Sequence, residues 1–204
     1  MTVMTAAPPY ELTLRSLDAS WTRARWEKLP EDGNRYEVID GVLYMSTAPS
    51  VFHQWIHRQI FVQLLRQLEE PGLGVVLYAP IGLLLPDGEA LQPDLLFVRA
   101  EELAMIHDRR IHGVPALLVE IVSPSNAEYD LEIKRKHYAR SGVPEYWAFR
   151  PARRDALIYS DPDPRTGDYR TVAETPAAGE LVSPTLPVRF PLATLFAGAP
   201  DTTV

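Results

Sequence analysis

The sequence contains no cysteine. Disulfides, thiolate metal sites and cysteine nucleophiles are therefore excluded together. A reducing compartment suits such a chain. It also lacks any apolar run near the ~18 residues of a membrane span, and the start, MTVMTAAPPYELTLR, carries no signal-peptide pattern. We expect a cytoplasmic protein with no membrane partner. Positive charge is in deficit as well. Twenty Lys and Arg against 27 Asp and Glu leave a formal net charge of −7. Proteins that coat nucleic acid non-specifically draw their affinity from phosphate neutralisation and are basic, so that class is excluded; a local basic patch is not. No Walker loop, dinucleotide fingerprint, nucleophile elbow or EF-hand loop is present. His53 and His57 have the spacing of a zinc helix, but Gln54 stands where the H-E-x-x-H motif needs its glutamate.

What is there reads as a globular α/β (α+β) protein. Hydrophobic residues make up 46% and charged residues 23% of 204, which is ordinary globular composition. A chain of this length buries roughly 70% of its unfolded surface without staples. We expect residues 1–19 to form an arm, 20–196 one domain and 197–204 a tail. Nineteen prolines and 11 glycines cut the chain into short elements. Trp21 and Trp26 flank a short helical stretch. Tyr36–Ile39 and Val42–Met45 surround Asp40-Gly41, a strong hairpin signal. Phe52, Ile56, Ile60, Leu64 and Leu68 recur every four residues and predict a helix from Ser50 to Glu70, with Ser50 as N-cap and Pro71-Gly72 as the stop. Strands are expected at 75–78, 82–85, 94–98 and 116–122. A second helix follows Ser123-Pro124, with Ser125 and Glu128 at capping-box spacing and Gly142 just past its end. Strands at 144–149 and 156–159 come next. The stretch 160–204, rich in Pro, Ala and Thr, offers one more strand near 169–172 and an apolar end, Leu192 to Phe196. The order predicts a mixed sheet with helices packed on it.

Glu120 interrupts an otherwise apolar strand, and a buried carboxylate needs a cation, a metal or hydrogen bonds. A strand-end glutamate facing solvent or an arginine fits the pattern too. Asp94 sits at the mouth of a second apolar strand, where an ordinary turn residue would also stand. If the two strands are neighbours, both acids can converge on one hard cation such as Mg²⁺. A metal of this kind acidifies water and neutralises developing charge, as phosphodiester hydrolysis requires. Asp130, Lys134 and Tyr138, spaced by four, share one helix face. That face either brings a lysine to the acids or carries a surface pair worth ~0.3–0.5 kcal/mol. Glu37, in the alternating first hairpin strand, is a third acid whose simple reading is solvent exposure. Tyr146 and Trp147, with the apolar end of the chain, would serve a dimer interface or ordinary core.

Taken in order, Tyr36-Glu37-Val38-Ile39-Asp40-Gly41, His53, Gln92-Pro93-Asp94, Glu120-Ile121-Val122-Ser123-Pro124-Ser125, Asp130, Lys134, Tyr138 and Gly142-Val143-Pro144-Glu145-Tyr146-Trp147 resemble the Uma-type restriction-endonuclease family. This family is found mostly in bacteria and belongs to the PD-(D/E)XK nuclease superfamily. The resemblance spans residues 20–196. It implies a restriction-endonuclease-like mixed central sheet flanked by helices, Mg²⁺ or Mn²⁺ as cofactor, and nucleic acid, DNA rather than RNA, as substrate. Related nucleases pair, so a homodimer is implied. Carried over by position, Asp94 and Glu120 are the motif acids and metal ligands, with the Ile121 backbone carbonyl as a further ligand. Glu37 matches an acid that completes such sites. The superfamily lysine, normally two residues after the second acid, is replaced here by Val122, and Lys134 matches the migrated lysine. His53, Asp130 and Tyr138 would surround the site. Two other readings remain open: a nuclease-like binding or assembly module without turnover, and a hydrolase of a small phosphodiester.

Overall fold

The computed structural model describes residues 13–30, 32–124 and 126–200. Two mixed sheets and a small hairpin carry the strands. The seven-stranded sheet runs, edge to edge, through β1 (Thr13–Arg15), β3 (Val42–Ser46), β2 (Arg35–Ile39), β6 (Ala90–Leu91), β5 (Gly82–Leu84), β9 (Arg110–His112) and β8 (Ile106–His107). The six-stranded sheet runs through β13 (Asp168–Thr175), β12 (Asp155–Asp163), β11 (Glu145–Arg150), β10 (Leu117–Ile121), β7 (Leu95–Arg99) and β4 (Gly74–Tyr78). The pairs β5–β9 and β10–β11 are parallel; the other ladders are antiparallel. β14 (Glu180–Val182) and β15 (Arg189–Pro191) form the hairpin. The sequence led us to expect one mixed sheet. The second arises because short strands of two or three residues, too brief for a period-2 signal, extend the β2–β3 hairpin on both sides.

The central strands β7, β10 and β11 of the six-stranded sheet are buried on both faces, which is why they read as largely apolar runs. Alternation still sorts them. Leu117, Val119 and Ile121 of β10, with Leu95, Phe97, Trp147 and Phe149, pack in one cluster against Ile56, Ile60, Leu64 and Leu68. These last four lie on α2 (Val51–Leu64) and the π-helical turn Leu65–Glu69 that continues it. Leu96, Val98, Leu118, Tyr146 and Ala148 face the other way, against Tyr129 and Tyr138. Those tyrosines belong to a π-helical turn, Tyr129–Lys134, that runs into α3 (Arg135–Arg140). α1 (Arg23–Trp26) buries Trp26 beside the hairpin strands.

Local signals hold where they were strong. Ser50 caps α2 by accepting the His53 N–H. Asp40 and Gly41 both take positive φ, 50° and 73°, as a tight hairpin turn of this hand demands. Gly142 adopts φ 80° just past α3. Residues 1–12 of the expected arm, the capping residue Ser125 and the end of the tail lie outside the described residues. Thr13–Arg15, assigned to the arm, instead pairs with β3. Tyr146 and Trp147 do not serve a surface: both are fully buried between helix and sheet, as are Leu192 and Leu195. Among the described residues, no helix is long and apolar enough to cross a membrane.

Candidate active site

Period-2 geometry sets the site. Glu120 lies one residue from Val119 and Ile121, so it points to the Tyr138 side of the sheet. β7 pairs antiparallel with β10 through Leu95↔Val119, which leaves Asp94 just beyond the last pair. There the Asp94 carboxylate replaces a ladder partner: its Oδ2 accepts the Ile121 N–H at 2.8 Å. An extended residue directs its N–H and C=O to the same edge. The Ile121 carbonyl therefore faces the Asp94 side, and Ile121 lines the cavity there.

Asp94 and Glu120 are both 2% exposed. Asp94 Oδ1 accepts from Arg35 Nη2 at 2.8 Å, and His53 Nε2 lies 3.2 Å from Oδ2. His57 Nε2 sits 3.0 Å from the Asp94 backbone oxygen. Glu120 Oε1 accepts from Lys134 Nζ at 2.9 Å and from the Tyr138 hydroxyl at 2.8 Å. Lys134 also reaches Glu37 Oε1 at 3.1 Å and Asp130 Oδ1 at 3.6 Å. Glu37 is buried, not solvent-facing. Its Oε1 accepts the Gln92 N–H, and its Oε2 accepts the Tyr129 hydroxyl at 3.1 Å. The family resemblance implied that Asp94, Glu120, Glu37, His53, Asp130, Lys134 and Tyr138 share a site, where spacing alone left each a simpler reading; in the structure their side chains lie in one neighbourhood. A cavity of about 30 Å³ opens between them, lined also by Arg35, Ser46, Thr47 and Asn126.

Three residues escaped that reading. Arg35 stands two positions before Glu37 on one strand, so the same alternation puts both side chains on one side; this signal was available. Tyr129 was not predictable. The six-residue π turn widens the helix, so Tyr129 joins Asp130 and Lys134 in lining the cavity. His57 was set aside with the absent zinc motif, yet it contacts the Asp94 backbone.

Four carboxylates here face two permanent cations, and protonation follows position. Burial opposes charge on Asp94, but His53, Arg35 and the Ile121 N–H outweigh it and hold its carboxyl well below the usual range. Burial, with like charge from Asp94, Asp130 and Glu37, outweighs Lys134 and pushes Glu120 up to about 8. Burial likewise raises Asp130 to about 7. Burial alone would lower Lys134, but Glu120, Glu37 and Asp130 raise it, so its ammonium stays charged. Asp94 is therefore held as a carboxylate, while burial favours the protonated forms of Glu120 and Asp130. Buried carboxylate oxygens plus a strand-end carbonyl are the hard oxygen donors that Mg²⁺ or Mn²⁺ takes. The residues fit such an ion, and Lys134 and Arg35 now supply the positive charge among them. The described side chains that bring three ligating atoms within 4.8 Å of one another lie elsewhere: His107, Asp108 and His112, on the β8–β9 hairpin and outside this cavity.

Comparison with known proteins bears on this geometry. The family model Uma2, described as "Putative restriction endonuclease", matches residues 23–194. Among solved structures, the chain resembles one titled a putative nuclease belonging to DUF820 from Anabaena variabilis ATCC 29413. The TM-score is 0.72 at 15% identity, over 86% of this chain and 97% of that one. At that identity the likeness shows the fold, a mixed α/β nuclease-like architecture. No curated protein matches the sequence.

Proposed function

Since the chain belongs to the Uma2 putative restriction endonuclease family, we propose that it is a divalent-metal-dependent phosphodiester hydrolase acting on nucleic acid, DNA rather than RNA. The observation that carries the proposal is the convergence of Asp94, Glu120 and Lys134, from the residue before β7, from β10 and from the helix that joins β10 to β11, on one buried cavity. Asp94, Glu120 and the Ile121 carbonyl are the residues that would hold Mg²⁺ or Mn²⁺. That ion supplies charge neutralisation at phosphorus and acidifies water.

The chain's own groups do the positioning. His53 and the Ile121 N–H fix Asp94 as an ionised ligand. Tyr138 orients Glu120 by donating to Oε1. Lys134, steadied by Asp130 and Glu37, presents a cation where the attacking water and the developing phosphoryl charge would lie. Glu37, held by the Tyr129 hydroxyl at 3.1 Å, takes the Lys134 ammonium directly at 3.1 Å and so fixes the cation at the cavity.

The test is incubation of purified protein with supercoiled plasmid, single-stranded DNA and RNA, in Mg²⁺, Mn²⁺ or EDTA, beside Asp94→Ala and Glu120→Ala. The proposal expects metal-dependent cleavage that both variants lose while remaining folded. Retained cleavage in either variant rejects its assignment as a ligand. A second reading, hydrolysis of a small phosphodiester, is favoured by the small cavity and by the −7 charge. Turnover of a chromogenic phosphodiester without polymer cleavage would select it.

A further inference from the structure

We propose that Arg35 is a displaceable counter-ion of Asp94: its guanidinium occupies Oδ1 in the metal-free protein and leaves that oxygen when a divalent cation enters the cavity. This rests on the proposed metal-dependent reading of the same site.

Four observations carry it. Arg35 makes its one side-chain hydrogen bond among the described residues to Asp94 Oδ1, at 2.8 Å. Secondly, the two cations of the site are unequally anchored. Lys134 is 2% exposed and touches three carboxylates, whereas the Arg35 side chain is 20% exposed and touches one. The looser cation gives way first. Thirdly, the departure leaves no orphan. Oδ2 keeps the Ile121 N–H at 2.8 Å and His53 at 3.2 Å, so Asp94 stays oriented while Oδ1 is exchanged. The penalty that usually makes breaking a buried pair costly is thereby avoided. Fourthly, Arg35 begins β2 and sits on the cavity wall with Glu37, Asp94 and Glu120. A released guanidinium there retains a planar fork of donors suited to a phosphate oxygen pair. One residue would then serve two states: partner of the acid at rest, and anchor of a phosphodiester once the acid is engaged.

The proposal predicts competition, which a purely structural arginine would not produce. Arg35→Gln should bind Mn²⁺ at least several-fold more tightly than the wild type, measured on the full chain by Mn²⁺ electron paramagnetic resonance or calorimetry. In the wild type, Mg²⁺ should shift the Arg35 Nε–H resonance as its carboxylate partner is lost. Asp94→Asn is the control and should abolish binding. Thermal melting reports whether Arg35→Gln is folded. If it is not, Arg35→Lys, which pairs less well, should show the same direction at smaller size. Unchanged or weaker Mn²⁺ binding in a folded Arg35 variant, with wild-type binding intact, overturns the counter-ion role and leaves the metal reading standing. Absence of Mn²⁺ binding in both the wild type and the variant overturns both.

Discussion

Glu120 shows how burial and neighbours set the behaviour of one group. Its carboxyl is raised to about 8 and that of Asp130 to about 7, from ordinary values of 4.5 and 3.8. In the unfolded chain both lose their protons near pH 4; in the folded chain they keep them to neutrality. The native state therefore binds more protons between about pH 5 and 8, and stability must fall as pH rises through that window. Asp94 works in the opposite sense: its contribution is present above the ordinary aspartate value and is lost only as pH falls through its depressed one. We expect metal-free melting temperatures to drop from pH 6 to pH 8.5, with a shallower slope in Glu120→Gln. A flat profile in the wild type would contradict the assignment of those protons. Lys134 poses a sharper case. Lys134→Met leaves Glu37, Glu120 and Asp130 without their shared cation. Breaking a buried ionic cluster in this way costs about 3–5 kcal/mol, measurable by urea unfolding.

At the scale of elements, the site depends on how helix ends and turns aim their side chains. Ser50 closes the first turn of α2, which carries His53 and His57 to Asp94. Ser50→Ala should cost about 1 kcal/mol, read as a shift in the denaturation midpoint with unchanged slope. Gly41 fixes the β2–β3 hairpin on which Arg35 and Glu37 ride. At its φ of 73°, a Cβ would stand 2.5 Å from the Ala19 carbonyl oxygen. Gly41→Ala should therefore cost more than the ~1–3 kcal/mol of a left-handed non-glycine residue alone, again by urea unfolding. These features were legible because they depend on local chemistry: Asp-Gly between two β runs, a serine before an apolar period of four, a glycine after a helix. The strand at Leu117–Ile121 was legible too, as an apolar run that Glu120 interrupts. What was not legible depends on partners distant in sequence. β8 and β9, two and three residues long, have no period to read. The π turn at Tyr129–Lys134 has no sequence mark, and it is what joins Tyr129 to the Asp130–Lys134–Tyr138 face. Val122, which replaces the usual nuclease-type lysine, packs with Tyr129 and Tyr138 on the same side of the sheet as Glu120, and Lys134 reaches Glu120 from the following helix, as the resemblance implied.

For the whole molecule, the site sits where two sheets and two helical segments meet. The hairpin of the seven-stranded sheet brings Arg35 and Glu37; the six-stranded sheet brings Asp94 and Glu120; α2 brings the histidines; the helix before β11 brings Lys134. No single segment carries the chemistry. That is why spacing alone left each residue with a simpler reading, and why the ordered set of them was informative. The net charge of −7 gives a polyanionic substrate no general attraction, so any polymer must be drawn by a few local contacts. Binding to DNA should then weaken with salt along a shallow slope, about 0.9 per phosphate contact on a logarithmic plot. The most direct measurement of the central claim is anomalous scattering from crystals grown with Mn²⁺. We predict a peak between Asp94, Glu120 and the Ile121 carbonyl, with Lys134 beside it. A peak confined to His107, Asp108 and His112 on the β8–β9 hairpin, or no peak in the cavity, would contradict the account.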